Sequence, residues 1–432
     1  MTVTSALSNP KALHIVLNSV AEDSRVLKCA WSLGNAGWDV VVVGATPFHH
    51  KDSMTIGYAE ILRLPLKVVV SQDLAAKILR GLRYYKRRLE ARTIGKREPG
   101  IPNYKRALNA IRGIAFELKP DVIHAHDYTA LPIAGALVGE LQRQGHSVKL
   151  VYDAHEYVPG VSHLTKPLSD LYAAQEIKFT KSAAVVLSVS EGMSDLLIPH
   201  LGLTVRPDIV ANDPLFEGQT TASRNLRADI GVGIDVPLMV YSGAVAPQRG
   251  IQTAAAALKD LPGVHLVVIA NPKNQTVIDL KAKFSDVAER FHVVPYVPNE
   301  QLVSYLSTAT IGLIPLLHKQ NHEISLITKF GEYMQARLPM IVSDVRTMAA
   351  EVRRLGNGEV FIAEDVADFV RATKLVLADQ NKYVKVYTAE ILQERSWERQ
   401  AENLVRIYNQ IAGATPTVRA HKPFKLSEPA PQ

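Results

Sequence analysis

Lys329 and Glu332 stand three residues apart inside the amphipathic stretch HEISLITKFGEYM, residues 322–334. A helix starting near Leu326 sets Ser325, Lys329 and Glu332 at i, i+4 and i+7 on one face, and turns Phe330, Tyr333 and Met334 inward. The apolar strand Ile311 to Leu316 ends just before this segment. The helix start therefore falls outside the carboxyl edge of a sheet, where open α/β sheets bind ligands. Free N–H groups from Ser325 to Thr328 suit a diphosphate, Lys329 adds positive charge, and Glu332 can accept bonds from two ribose hydroxyls. The competing reading of Lys329 and Glu332 is a surface ion pair. A second loop of this kind, LMVYSGAVAPQRGIQTAAAAL at 238–258, is a strand, a turn bracketed by Gly243 and Gly250, and a helix opening at Ile251. Its glycines admit close backbone approach, and Arg249 stands beside the helix start. Two such loops, each with a cation, point to a nucleotide diphosphate.

The first half carries a different chemistry. In DVIHAHD, 121–127, His124 and His126 fall on the same side of a strand by the period of two. His126, nearer the carboxyl end, can orient an acceptor hydroxyl and a donor sugar, or serve as a structural histidine bonded to backbone. His155 and Glu156 end the next strand and either line an acceptor pocket or cap the following turn. Asp23, Ser24 and Arg25 open a helix, and Asp23 has the identity of an N-cap. The sequence holds no H-E-x-x-H and no close ligand triad, so no metal is expected.

These groups need a scaffold, and its pattern is legible. Strands are expected at Leu13–Ser19, Val40–Gly44, Asp121–His126, Leu150–His155 and Ala184–Ser190, then at Leu238–Ser242, His265–Ala270, Phe291–Val294, Ile311–Leu316 and Met340–Ser343. Helical stripes such as Val26, Leu27, Ala30 and Trp31 separate them. Strand and helix in alternation predict parallel sheets covered on both faces, and two sets predict two doubly wound domains. At 432 residues the chain is long enough for both. The expected division is 1–212, 213–395, a helix at 396–412 crossing back to the first domain, and a disordered tail at 413–432.

Composition narrows the class. With 47% apolar and 21% charged residues the chain is of globular type. No apolar run approaches a membrane span, and MTVTSALSNP lacks the features of a secretory leader. Cys29 is the only cysteine, which excludes an internal disulfide and a cysteine-built metal site. A cytoplasmic protein is expected. Its net charge of +7 is concentrated in KILRGLRYYKRRLEARTIGKR, 77–97, a segment able to touch an anionic membrane face or an acidic acceptor, or to remain a solvated helix or loop. No nucleic-acid partner is expected.

The ordered series YSG…QRGI, VVPYVPNEQLVSYLSTATIGLIPL, SLITKFGEYMQARLPMIVSD and SWERQAENLVRIY resembles the retaining family four type of GT-B glycosyltransferases. In the first half, EDSRVLKCAWSLGNAGWDVVVV, DVIHAHDYTALPIA, LVYDAHEYVPG and VVLSVSEGMSDLL resemble the acceptor-side domain of that family. The resemblance implies two Rossmann-like domains facing across a cleft, with a nucleotide sugar in the second. It implies that Glu332 holds ribose, that Arg249 and Lys329 meet the diphosphate, and that Tyr296 and Val297 lie against the base. It further implies that Asn321 to Ser325, including His322 and Glu323, border the donor sugar, with Leu326, Ile327 and Thr328 closing the donor site. His126 would act across the cleft, beside acceptor groups Asp23, Arg25, His155 and Glu156, without a metal. The product would be a glycoside, glycolipid or polysaccharide, with a hydroxyl acceptor that is lipid-linked or anionic. Three positions depart from the family pattern. Ile324 replaces the first of two spaced glutamates, Ala244 replaces a basic residue, and NSVAEDSR, 18–25, replaces a glycine pair. A sugar-nucleotide epimerase and a nucleotide-sugar-binding scaffold are the alternatives. A Rossmann dehydrogenase is disfavoured, because no G-x-G-x-x-G follows the first strand.

Overall fold

The alternation of apolar runs with helices yields two separate sheets. The computed structural model describes residues 9–46, 50–66, 104–162, 164–216, 219–428 and 430–431. The basic cluster at 77–97, with its expected membrane contact, lies outside them. The first sheet holds β1 (Lys11–Ile15), β2 (Asp39–Ala45), β3 (Asp52–Ile56), β4 (Ala59–Leu64), β5 (Val122–His126), β6 (Lys149–Ala154), β7 (Ala183–Ser188) and β8 (Asp208–Ile209). The second holds β9 (Leu238–Ser242), β10 (His265–Ile269), β11 (Phe291–Val294), β12 (Ile311–Ile314), β13 (Met340–Ser343) and β14 (Gly358–Phe361). A terminal strand, β15 (Ala430–Pro431), rejoins the first sheet.

The orders are β15-β3-β4-β2-β1-β5-β6-β7-β8 and β11-β10-β9-β12-β13-β14. The second sheet is parallel throughout, and the first is parallel except at β3 and β15. Progression reverses between β1 and β5 and again between β9 and β12, which opens a crevice at the carboxyl end of each sheet. Successive residues of the central strands feed opposite layers: Leu13 and Ile15 join one core cluster, Ala12 and Val16 the other. Burial on both faces is why these strands read as continuous apolar runs rather than alternating ones. The protein is therefore α/β, with two doubly wound Rossmann-like domains of the GT-B arrangement.

Several features differ from expectation, among them the edge strands β8 and β14, which the expected set lacks. The hairpin β3–β4 was absent from the sequence reading, although Met54, Ile56, Ala59 and Ile61 alternate inward around a turn at Gly57 and Tyr58. Asp52 and Arg63 face each other across it in a buried fork of 2.6 and 2.7 Å. The tail also departs from the disorder expected of it. The helix Trp397–Ala412 crosses back onto the helix Ser24–Asn35, with Trp397 Nε1 donating to Ser32 Oγ at 2.9 Å. Beyond it the chain runs extended over the first domain. Trp31 Nε1 donates to the Lys422 carbonyl at 2.8 Å, Arg419 pairs with Asp39, and Ala430 pairs with Ser53 on the edge strand β3. The segment lacks internal periodicity because its order comes from partners far away in sequence. It also covers an edge that would otherwise expose unpaired backbone groups.

Candidate functional site

The second-domain half is built around a turn. β9 ends at Ser242 and the chain enters Gly243 with φ 116°, a conformation costly for any side chain. A Cβ there would also run into Lys329 Nζ, so the glycine makes room for the amine. Gly250, at φ 72°, sits against the Pro315 carbonyl, where a Cβ would overlap it. Between them a 3-10 turn, Pro247–Arg249, brings Arg249 to the same corner. Tyr333 locks the arrangement from below, its hydroxyl accepting from Ser242 N at 3.1 Å.

The helix carrying Lys329 and Glu332 begins at Thr328, two residues later than expected, after a separate short helix, Gln320–Ile324. Its N-cap, Ile327, has no side chain able to accept, so no side-chain cap satisfies the first-turn N–H groups. Phe330, Tyr333 and Met334 are fully buried against the sheet as expected. Ser325 is not on the helix: its backbone is extended, and its hydroxyl donates to the Asn321 carbonyl at 2.6 Å. Leu326 and Ile327 are half-buried and pack on the core, and Thr328 Oγ1 accepts from Asn212 at 3.2 Å.

Two cations meet here without a contacting carboxylate among the described residues. Neither Lys329 nor Arg249 forms an ion pair with a described residue, so a surface pair between Lys329 and Glu332 is not realised. Burial, set against the attraction of Glu332 and reinforced by Arg249, pushes the Lys329 amine down to about 8. Burial raises the Glu332 carboxyl, while Lys329 and Lys28 pull it back. His322 Nδ1 donates to the Leu317 carbonyl at 2.7 Å, and burial, helped by the nearby Arg249, lowers its pKa against the opposing pull of that hydrogen bond. Tyr296 is exposed and Val297 half-buried, just beyond the end of β11. Glu323 is engaged elsewhere. One oxygen meets His318 at 2.5 Å, and the other accepts from Arg346 N at 2.8 Å, capping the helix Arg346–Leu355.

The first-domain half centres on Asp153, at the end of β6, which the sequence reading passed over. Arg25 forks onto it at 2.6 and 2.8 Å, and His155 Nε2, His126 Nδ1 and His124 Nε2 lie 3.1, 3.3 and 3.4 Å from Oδ2. Burial alone would raise this carboxyl, but Arg25 and His155 outweigh it and hold it well below the usual range. Arg25 also donates to the Val210 carbonyl, so it is a structural clamp rather than an acceptor contact. His126 is wholly enclosed, with Nε2 3.0 Å from His14 Nδ1, and burial lowers it to about 3. It is a neutral group behind the site, not an exposed one in the cleft. His155 is half-buried and, though burial would lower it, Asp153 raises it; Glu156 is exposed. Asp23 caps its helix, accepting from Val26 N at 3.2 Å and from Asn18 at 2.7 Å. The loop that lacks a glycine pair instead places Val20 at φ 62°, with Gly44 leaving space for its side chain.

The fold also gathers ligand-type atoms that sequence spacing kept apart. His14, His124 and His126 form one group within 4.8 Å, and His126, Asp153 and His155 another, which corrects the expectation of no close triad. Their chemistry fits a hydrogen-bonded network better than a cation. Arg25 already neutralises Asp153, and Tyr408 OH, His14 and His126 engage one another at 2.6–3.1 Å with His124. Asp127, also overlooked, adopts φ 71° right after His126, and burial pushes its carboxyl up to about 7. Such backbone strain in a non-glycine residue is characteristic of functional sites. Lys28, a third omission, donates to the Asp213 carbonyl and, by its effect on Glu332, joins the two domains. Direct contact across the cleft comes from Ser190 Oγ, which donates to the Ile324 carbonyl at 2.5 Å.

Comparison with known proteins agrees with this geometry. Residues 223–391 match the model described as glycosyl transferases group 1, and residues 24–212 the model described as glycosyltransferase family 4. TuaC of Bacillus subtilis (strain 168), a protein named for teichuronic acid biosynthesis as a glycosyltransferase, is 28% identical over 233 residues, 53% of this chain and 54% of that one. The alignment thus spans about half the length of that relative. Sucrose-phosphate synthase from Thermosynechococcus elongatus superposes with TM-score 0.73 at 17% identity, over 94% of this chain and 100% of its own. Anabaena HepE in complex with UDP-glucose superposes with TM-score 0.66 at 13% identity, over 93% and 99%. These two likenesses are ones of fold.

Proposed function

This chain belongs to the group 1 glycosyltransferases of GT-B fold, and from that premise we propose that it moves a sugar from a nucleotide-diphosphate donor to an acceptor hydroxyl with retention of configuration. The observation that carries the reading is the pair Lys329 and Arg249, two cations meeting at the Gly243 turn with no carboxylate ion pair, next to Glu332. A bound diphosphate supplies the missing negative charge, and the uncapped helix at Thr328 adds N–H donors. Glu332 accepts from the ribose hydroxyls. HepE, whose structure contains UDP-glucose, offers a precedent for the donor class.

In the reaction the anomeric carbon–oxygen bond to the diphosphate breaks, and the acceptor oxygen bonds to the same face. The acceptor proton passes to the departing phosphate oxygen. Arg249 and Lys329 stabilise the charge that grows on the leaving group, the role a metal ion fills in other transferases. His155 and Glu156 flank the acceptor, while His126 and Asp153 hold that wall in place. The acceptor is a carbohydrate, lipid-linked or small-molecule hydroxyl in polysaccharide, glycolipid or glycoside assembly. Among the described residues no helix is long and apolar enough to cross a membrane. We place the protein in the cytoplasm, with 77–97 as its contact for an anionic membrane face.

The test is incubation of purified protein with a panel of nucleotide sugars and simple acceptors, read by NMR of the anomeric proton. Donor hydrolysis or transfer with unchanged anomeric configuration supports the reading. Inverted product refutes retention, reversible epimer formation favours an epimerase, and binding without turnover favours a scaffold.

A further inference from the structure

A cavity of about 120 Å³ lies between the domains, and one of its walls comes from neither Rossmann core. Lys28 lines it from the first domain, Thr328, Glu332 and Leu302 from the second, and Phe424 from the C-terminal segment. The space is well below the roughly 300 Å³ at which pockets for whole small molecules begin, so it suits one ring of a ligand. It adjoins the diphosphate corner through Glu332, which interacts with Lys329 on one side and Lys28 on the other. Its polar groups are unfinished. Gln219, also in the wall, has a buried Oε1 with no hydrogen-bond partner, and the Lys28 amine uses one donor on the Asp213 carbonyl. Such a cavity offers an acceptor, a cation, a carboxylate and an aromatic face, which suits one ring, base or ribose, of a donor nucleoside.

We propose that the C-terminal segment is part of the donor site, with Phe424 packing against the nucleoside of a nucleotide sugar whose diphosphate lies at the Gly243 turn. The hydrogen bonds and ring contacts that hold Phe424 and its neighbours go to the first domain. Phe424 meets Trp31 edge-on, with ring centroids 5.6 Å apart. On its two sides the Lys422 carbonyl accepts from Trp31 and Asn35 at 2.8 and 3.2 Å, and Ser427 N donates to the Thr55 carbonyl at 2.9 Å. Glu332 belongs to the second domain and Phe424 is anchored on the first, so a nucleoside between them bridges the two. The segment thus makes donor binding sense the relative placement of the domains. Phe424 acts here as a positioning residue that contacts the donor away from the reacting carbon.

This inference rests on the donor reading above, and calorimetry separates the two. UDP, GDP, ADP and dTDP are titrated into wild-type protein and into Phe424→Ala, with inorganic pyrophosphate as a probe that has no nucleoside. We expect the tightest of the four nucleotides to lose about fivefold to tenfold in affinity in the variant, the scale of one aromatic contact. Pyrophosphate affinity should not change, and Trp31 fluorescence should respond to the nucleotide in wild type. A truncation after Gly413 should reproduce the nucleotide-selective loss; thermal melting of both proteins shows that the remainder is folded. Equal loss for nucleotide and pyrophosphate, or no loss for either, overturns the inference while leaving the donor reading standing. Wild-type protein that binds none of the four overturns both.

Discussion

Replacing Lys329 with Met should weaken nucleoside diphosphate binding and at the same time stabilise the ligand-free protein. Burial moves this amine from the usual 10.5 to about 8, and at about 1.36 kcal/mol per pH unit that drop disfavours the charged form by roughly 3 kcal/mol. Methionine keeps the length and apolar stem and removes the buried charge. Part of the gain is lost, because the Glu332 carboxyl gives up the attraction of Lys329. A net stabilisation of about 1–2 kcal/mol remains, a rise in Tm of a few degrees. The pH dependence fixes the cause. A lysine depressed in the folded state is charged in both states below about pH 8, so its penalty is constant there. Between about 8 and 10.5 only the unfolded chain holds the proton, and stability rises with pH. Lys28, also near 8, contributes to the same window, so the diagnostic is the difference between wild type and variant. That difference should shrink as pH climbs through the window. Binding should weaken about tenfold to a hundredfold, the loss of one charge-assisted hydrogen bond. Urea melts at pH 7 and pH 10, together with calorimetry, read all three effects. A variant less stable at pH 7, or one with undiminished affinity, refutes the reasoning; Lys329→Met combined with Glu332→Gln checks that any loss of stability is not the stranded carboxylate.

Three further predictions follow from the same geometry. Arg249→Ala should lower kcat by roughly two to three powers of ten if the guanidinium stabilises the leaving diphosphate, and near-normal kcat would pass that role to Lys329. Gly243→Ala should lower stability by about 1–3 kcal/mol from its φ of 116°, and should weaken donor binding by displacing the Lys329 amine; an unchanged melt would show that the turn relaxes freely. Asp153→Ala strands the buried Arg25 guanidinium and should cost about 3–5 kcal/mol in chemical denaturation, whereas Glu156→Ala, exposed at the same wall, should barely shift the melt.

The fold was legible because its signal is local. Val40, Val42 and Val43 in β2, or Leu238 to Tyr241 in β9, advertise strands through composition alone, and the glycines at 243 and 250 mark a turn whose torsion angles require them. The second-domain site was legible for the same reason, since Lys329 and Glu332 share one helix. What escaped the reading depends on distant partners. Asp153 becomes a hub only when β5 and β6 bring His124, His126 and His155 around it and the helix Ser24–Asn35 adds Arg25, and nothing in YDAHEY announces that. His126 looks accessible at a strand end but is enclosed once His14 arrives from 112 residues away and His124 stacks beside it. Glu323, which the resemblance sets beside the sugar, also holds His318 and the Arg346 N–H, two partners that its own stretch of sequence does not announce. The tail was judged by periodicity, which measures a segment against itself and is blind to an aromatic docking on Trp31.

The account stands or falls on where a nucleotide diphosphate lies. A crystal structure of the protein with the nucleoside diphosphate it binds most tightly should place the two phosphates within hydrogen-bond distance of Arg249 and Lys329, over the Gly243 turn, with both ribose hydroxyls on Glu332. A nucleotide bound elsewhere, or one whose phosphates avoid both cations, would contradict it.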